Sequence, residues 1–372
     1  MNILILFTHR WRGGRAGGAE THNLGLIKGL AARGHLVVAV TGPADSGCRF
    51  SSASGLSAHY ELPFQTINPL DKLSSYRALR DITARHNIEI VHAHHRTAGY
   101  FAELLCRERH LPYVVTVHDP WHSTPFKSAH GKVFRQMIAV SDFLKRILVT
   151  RFRVPPERIR TIRNGVDPKP FDAVEPSEAA RFRSTFGISP ETIVLSQISR
   201  ISRAKGQFDL INALRLLPGD LNYRYLIVGE GKERRRLEQL VESSGLAAKV
   251  TFCGYQANIP VVLAASDVMV LPSHREGLPL SIVEAMLAKV PVVAADTAGV
   301  PEIITDRQDG LLFHAGDLET LAKLLRETIT DGELRQRLAE CGRQTAVDRF
   351  LVNRMVEETE SHYRRILDSW KG

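Results

Sequence analysis

Apolar residues gather along this chain in short unbroken runs, and each run is followed by a longer segment in which they recur every three or four positions. The runs are NILILF, LVVAV, IEIVHA, YVVTVH and MIAVS in the first half, and TIVLSQIS, YLIVG, VTFCG, DVMVLPS and PVVAAD in the second. A strand that is apolar at consecutive positions must be covered on both faces. Such runs alternating with helices therefore predict parallel sheets sandwiched by helices, and the pattern occurs twice. Between the two series lies NGVDPKPFDAVEP, residues 164–176, whose three prolines and lack of periodicity mark a linker. Helix boundaries are legible too. After GGAE, residues Leu24, Ile27, Leu30 and Ala31 share one face, and Gly34 falls where a C-terminal cap belongs. VEETESHYRRILDSW reads as a closing helix. The expected fold class is α/β, with two doubly wound parallel-sheet domains, 1–167 and 168–355, facing a central cleft.

Length and composition narrow the class. The 372 residues suit two domains, and 44% hydrophobic with 24% charged residues excludes disorder. No run reaches the roughly 18 apolar residues of a membrane span. The opening MNILILF lacks a basic start and leads directly into THRWRGGR, so it reads as a first buried strand and not as a signal peptide. Cys48, Cys106, Cys253 and Cys341 are scattered without zinc or redox spacing, which argues against a disulfide framework and a metal site and for a reducing cytoplasm.

Charge changes the picture. Residues 1–170 hold 24 Lys and Arg against 12 Asp and Glu, whereas residues 171–372 hold 25 against 28. An anionic partner for the first half, whether nucleic acid, membrane surface or phosphorylated substrate, is one reading; a solvated basic face is the other.

In open parallel sheets ligands bind at the carboxyl ends of strands, and there the unusual polar residues collect. Gly17 and Gly18 enter a helix, where backbone N–H groups can receive a phosphate or a sugar hydroxyl, or where a tight turn simply needs small residues. The loop is neither a P-loop nor a dinucleotide fingerprint. Arg200 and Lys205, in SRISRAKG, can neutralise a diphosphate, with solvated surface cations as the alternative. His118 follows a buried strand, which puts an imidazole at the cleft rim, either donating to a substrate hydroxyl or serving structure. His92, His94 and His95 look like a metal cluster, but alternation sends His95 to the opposite face and no acid or cysteine stands near, so zinc is rejected. Glu284 opens an apolar helix, where it can accept hydrogen bonds from ribose hydroxyls or complement the helix dipole. Glu276, on the loop before it, can hold a second polyol.

Taken together, GGAE at 17–20, NGVD at 164–167, SRAKG at 202–206, VGEGKER at 228–234 and E-G-x6-E-A at 276–285 resemble family 4 retaining glycosyltransferases of the GT-B fold. The motifs come in the family's order and span most of the chain. The resemblance implies an acceptor-binding first domain, rejoined by residues 356–372, and a second domain that holds a nucleotide-sugar donor. It implies Glu284 on the donor ribose, Glu276 on the transferred sugar, and Arg200 and Lys205 on the diphosphate. Gly17, Gly18, Gly229, Gly277 and Leu278 would line the donor, with His118 beside the sugar and acceptor. No cofactor or metal is implied, in keeping with the absence of any D-x-D, and no protein nucleophile is named.

The basic first domain then fits a phosphorylated or lipid-linked glycan acceptor, or an anionic membrane at the inner face of the plasma membrane. HRWRGGR and the segment carrying Trp121, Phe126, Lys127, Lys132 and Arg135 mix aromatic and cationic residues as an interfacial segment would. UDP-sugars are the favoured donors, and lipopolysaccharide, capsule or other surface polysaccharide the favoured product. A nucleotide-sugar epimerase is the nearest rival. A glycosidase leaves the cationic loop unexplained. A nucleic-acid or membrane-binding protein without catalysis is a further alternative, although no nucleic-acid module is present and no nucleic-acid partner is expected.

Overall fold

The computed structural model describes residues 1–7, 17–43, 55–64, 68–120 and 133–371. They divide into two compact units, one formed by Met1–Gly165 with Val352–Gly372 and the other by Val166–Leu351. The first is built on a seven-stranded sheet. Its strands are β1 (Asn2–Phe7), β2 (Leu36–Thr41), β3 (Ala58–Glu61), β4 (Ile90–His94), β5 (Tyr113–Val117), β6 (Met137–Ala139) and β7 (Ile159–Thr161). They lie in the order β3-β2-β1-β4-β5-β6-β7, and every pairing is parallel. The second unit carries β8 (Ile193–Ile198), β9 (Tyr223–Val228), β10 (Val250–Gly254), β11 (Val268–Leu271), β12 (Val292–Ala295) and β13 (Leu311–Phe313), in the order β10-β9-β8-β11-β12-β13 and again all parallel.

The continuous apolar runs therefore form buried central strands, as doubly wound sheets require. β1, β2, β4 and β5 are buried at nearly every position. Three strands escape the sequence pattern: β3 (AHYE), β7 (IRT) and β13 (LLF). All three are sheet edges of three or four residues, and the first two are only partly buried, so neither a long apolar run nor clean alternation marks them.

In the first unit the core sits between β1, β2, β4 and two helices, Gly18–Ala32 and Val352–Lys371. Gly25 and Gly29 allow these helices to meet closely, since a Cβ on Gly29 would overlap the Val356 side chain. Ile27 and Leu30 are buried as expected, joined by Leu26, while Leu24 and Ala31 flank the core half-buried. The same buried face carries His22 and Asn23, two polar residues that an amphipathic reading passes over. Gly34, at φ +82°, ends the helix in the left-handed turn that glycine favours. The second core packs β8, β9, β11, β12 and β13 against the helices Gln207–Leu214, Arg234–Ser243 and Leu318–Thr330. No described helix is long and apolar enough to cross a membrane.

Candidate active site

In the second sheet the chain runs outward from β8 through β9 to β10, then returns to start β11 on the other side of β8. The loops after β8 and β11 therefore leave a crevice at the point where strand order reverses. After β8 comes a turn of 3-10 helix, Arg203–Lys205, closed by Gly206 at φ +69°. A side chain at Gly206 would overlap the Pro272 carbonyl, and one at Gly229, where φ is +138°, would overlap the Ser199 carbonyl. These loops are thus stacked backbone on backbone, which is the physical reason for the glycines in SRAKG and VGEGKER. Hydrogen bonds fix the stack. Ile201 N–H donates to Glu230 O at 3.0 Å, and buried Gln207 donates through Nε2 to Ser199 Oγ at 2.9 Å and to Arg200 O at 3.1 Å. Held by its backbone in this way, Arg200 is exposed, and its guanidinium makes no hydrogen bond or ion pair with any described residue.

Lys205 and Glu276, one from each loop, meet: Nζ donates to Oε1 at 2.6 Å, with the carboxylate nearly buried. Gly277, Leu278 and Pro279, all buried, lead into the helix Leu280–Leu287, which buries Leu280, Ile282, Val283, Ala285, Met286 and Leu287. Glu284 was expected at the opening of this helix but stands a full turn inside it. There its half-buried carboxylate has no described hydrogen-bond or ion-pair partner, and burial pushes its pKa up to about 7. A carboxylate in this setting is short of donors, so a ligand that brings two hydroxyl donors meets a partly desolvated acceptor.

The first sheet reverses between β1 and β4. Gly17 caps the helix that follows β1, and its own N–H is taken by the Glu20 carboxylate. Burial raises the Glu20 pKa to about 7, with the Gly17 hydrogen bond partly offsetting it. Gly18, the first residue of the helix, is exposed. His118, just past β5, is buried and not at a rim. Its Nε2 lies 3.0 Å from His94 Nδ1, and its ring packs edge-on against His22 with centroids 4.8 Å apart. One strand position back, His92 bonds the Tyr363 hydroxyl through Nδ1 and Thr116 Oγ1, at 2.6 Å, through Nε2. Burial lowers the pKa of His22 to about 4, against a smaller opposing effect of Asn164, and lowers those of His92 and His94 well below the usual imidazole range. These three rings are therefore neutral near pH 7, and His92 bridges two hydroxyls.

The alternation argument for the histidines needs correction. His92 and His94 do share a face, with ring centroids 4.1 Å apart, but β4 ends at His94 and His95 turns to φ +77°. Its ring consequently comes back to within 5.6 Å of His118 and does not point away from it. The histidines whose ring nitrogens gather within 4.8 Å of one another are His22, His94 and His118, a triple that joins three separate chain segments. It is the one potential metal-ligand group among the described residues. Its span exceeds the roughly 3.3 Å nitrogen separation that Zn–N bonds of about 2.0–2.1 Å imply, and two of its nitrogens already bond to each other. His22 was missed from sequence. Its signal was a histidine and an asparagine on the buried face of a helix.

Trp121, Phe126, Lys127, Lys132 and the HRWRGGR stretch lie outside the described residues. Arg135 is described, and its guanidinium sits over the Trp370 ring, 5.7 Å from the centroid.

Two all-parallel doubly wound units give the chain the architecture of GT-B transferases, with charged loops at the strand-order reversal of one unit and an imidazole cluster at that of the other. Residues 16–169 match the family described as Glycosyltransferase Family 4, and residues 179–345 match Glycosyl transferases group 1. EpsD of Bacillus subtilis (strain 168) is 30% identical over 318 residues, covering 81% of this chain and 83% of that protein. The chain belongs to this glycosyltransferase family. It is also 25% identical to an Escherichia coli UDP-Gal:alpha-D-GlcNAc-diphosphoundecaprenol alpha-1,3-galactosyltransferase, over 80% of this chain and 81% of that one. The structure of Anabaena HepE in complex with UDP-glucose superposes with a TM-score of 0.81 at 25% identity, covering 96% of this chain and 99% of that one.

Proposed function

We propose that this chain is a retaining, metal-independent hexosyltransferase that takes a sugar from a UDP-sugar and delivers it to a glycan or lipid-linked acceptor in lipopolysaccharide, capsule or another surface polysaccharide. The observation that carries the donor reading is Glu284, a half-buried carboxylate with no described partner and a pKa near 7, on the helix that follows the Lys205–Glu276 loop. Ribose hydroxyls supply the donors it lacks, and each hydrogen bond to the charged carboxylate is worth about 1.5–3 kcal/mol. The UDP-glucose bound to the HepE relative and the UDP-galactose named for the E. coli relative support UDP over other nucleotides.

In this reading Arg200 and Lys205 take the diphosphate. Arg200 is available because no described acid holds it, and Lys205 is fixed by Glu276 at 2.6 Å, so both cations stand ready where negative charge grows as the sugar leaves. Gly229, Gly277 and Leu278 let the backbone approach the donor. Glu276 accepts hydrogen bonds from the transferred sugar's hydroxyls while it orients Lys205. No protein nucleophile is invoked. The departing diphosphate accepts the proton of the acceptor hydroxyl on the same face, which retains configuration. Gly17 and Gly18 line the donor, His118 serves the sugar and the acceptor, and the neutral imidazoles around His118 position a hydroxyl without adding charge. The basic first half suits an anionic acceptor or peripheral attachment to the cytoplasmic membrane face.

The test is a thermal-shift panel of UDP, GDP, ADP and CMP with EDTA present. UDP at about a hundredfold excess over its Kd adds about 2.7 kcal/mol to the stability of the folded chain. Stabilisation by UDP that survives EDTA supports the reading. Stabilisation by none of the four, or only with added metal, refutes it.

A further inference from the structure

Along the outer edge of β7, in the first unit, runs a groove of about 570 Å³, within the size range that holds a small ligand. Its lining is cationic: Lys145, Arg160 and Arg365 face Glu157 as the one acid. Six other described arginines of this unit are matched with carboxylates: Arg33 and Arg364 with Glu360, Arg80 with Glu108, Arg107 with Glu103, Arg163 with Asp142 and Arg354 with Glu358. The three groove cations form no ion pair with any described residue; Arg365 spends only Nε, on the Ser361 carbonyl of its own helix at 3.4 Å. Two donors on the groove wall are buried and unsatisfied as well. His362 is only 8% exposed, and neither its Nε2 nor the Nε of Arg160 has a hydrogen-bond partner. Burial, together with Arg365 and Arg160, lowers the His362 pKa to about 4, so the imidazole adds a neutral hydrogen-bonding group and not a fourth charge.

Lys145 and Arg160 are half-buried, Arg365 is exposed, and the Arg160 and His362 nitrogens are buried without a partner, an arrangement that a ligand of opposite charge would complete. We infer that this groove is a second ligand site, built for the phosphoryl oxyanion of a small molecule and independent of the donor residues Arg200, Lys205, Glu276 and Glu284. Arg160 and Arg365 supply guanidinium forks suited to phosphoryl oxygens, Lys145 adds a mobile point charge, and Gln136, Thr161 and His362 offer neutral partners to the remainder of the ligand. Because β7 is the sheet edge and His362, Arg365 and Ser369 lie on the closing helix, occupancy ties that helix to the edge strand.

The test is calorimetric titration of the full chain with inorganic phosphate and, separately, glucose 1-phosphate, with ionic strength held constant by chloride. Arg200→Gln separates this site from the donor site, and Lys145→Gln/Arg365→Gln removes two groove cations. The expected result is saturable single-site binding that survives Arg200→Gln and weakens by at least about tenfold in the double variant. His362→Gln, which leaves the charge unchanged, weakens it as well while the melting temperature stays near that of the wild type. Tighter binding of the sugar phosphate identifies a phosphorylated metabolite as the source, and equal binding identifies free phosphate. Absence of saturable binding by either probe, retention of full affinity in the double variant, or loss in Arg200→Gln overturns the inference.

Discussion

Glu284→Gln tests the donor reading because it moves stability and binding in opposite directions. In the folded chain burial raises the carboxyl pKa from 4.5 to about 7. A carboxyl whose folded pKa is raised favours the folded state while it stays protonated. That contribution is complete below the unfolded pKa and is lost as pH rises to the folded value. Across this window of about 2.5 pH units, at about 1.36 kcal/mol each, the free chain loses about 3 kcal/mol by the time Glu284 is ionised. Glutamine keeps the shape and has no charge to desolvate. The variant, without ligand, is therefore expected to match the wild type near pH 4.5 and to exceed it near pH 8 by up to about 3 kcal/mol. For a unit of the size of Val166–Leu351 that is roughly 6–12 °C in Tm. UDP should then stabilise the variant far less than the wild type, because its ribose meets a neutral amide; a Kd increase of about 10–100-fold is expected. The assay is scanning calorimetry of the second unit's transition at both pH values, with and without UDP. A variant no more stable than the wild type near pH 8 refutes the buried-charge argument, and unchanged UDP affinity refutes the ribose assignment.

Lys205→Ala strands the nearly buried Glu276 carboxylate and should cost about 1–3 kcal/mol; a double-mutant cycle with Glu276→Ala should show coupling of about 0.5–3 kcal/mol, and no coupling would mean that the 2.6 Å pair is idle. Gly229→Ala places a Cβ onto the Ser199 carbonyl at φ +138°, so a loss of at least about 3 kcal/mol in chemical denaturation is expected, with failure to bind UDP in whatever still folds. Tyr363→Phe removes the hydroxyl that satisfies buried His92 Nδ1 and should lower stability by about 1–3 kcal/mol with no effect on UDP affinity, measured by urea unfolding and calorimetry in parallel.

Much of the fold lies in local pattern. The ten apolar runs became ten strands, because a central strand of a doubly wound sheet is buried on both faces and must read as continuous hydrophobicity. Three of the four edge strands, β3, β7 and β13, did not announce themselves, since each is only three or four residues long, whereas the fourth, the five-residue β10, did. The candidate site divides in the same way. Arg200, Lys205, Glu276 and Glu284 could be singled out because each follows or lies near a strand end, and strand ends carry the ligand loops. Gly206 and Gly229 were visible as motif letters, but the reason for them, carbonyl oxygens of neighbouring loops where a Cβ would sit, exists only once three loops are stacked.

Sequence by itself determined the residue types available for chemistry, the strand and helix periodicities, and the basic bias of the first half. Tertiary structure decided which of those residues meet. It paired Lys205 with Glu276 and left Arg200 exposed and unpaired. It also withdrew Glu284 into a helix where burial raises its pKa, and drew together His22 from the first helix, His94 from the end of β4 and His118 from just past β5. Those outcomes depend on desolvation and on distances between segments far apart in the chain. Neither quantity has a local signature, because burial and electrostatics are summed over neighbours that only the folded backbone supplies.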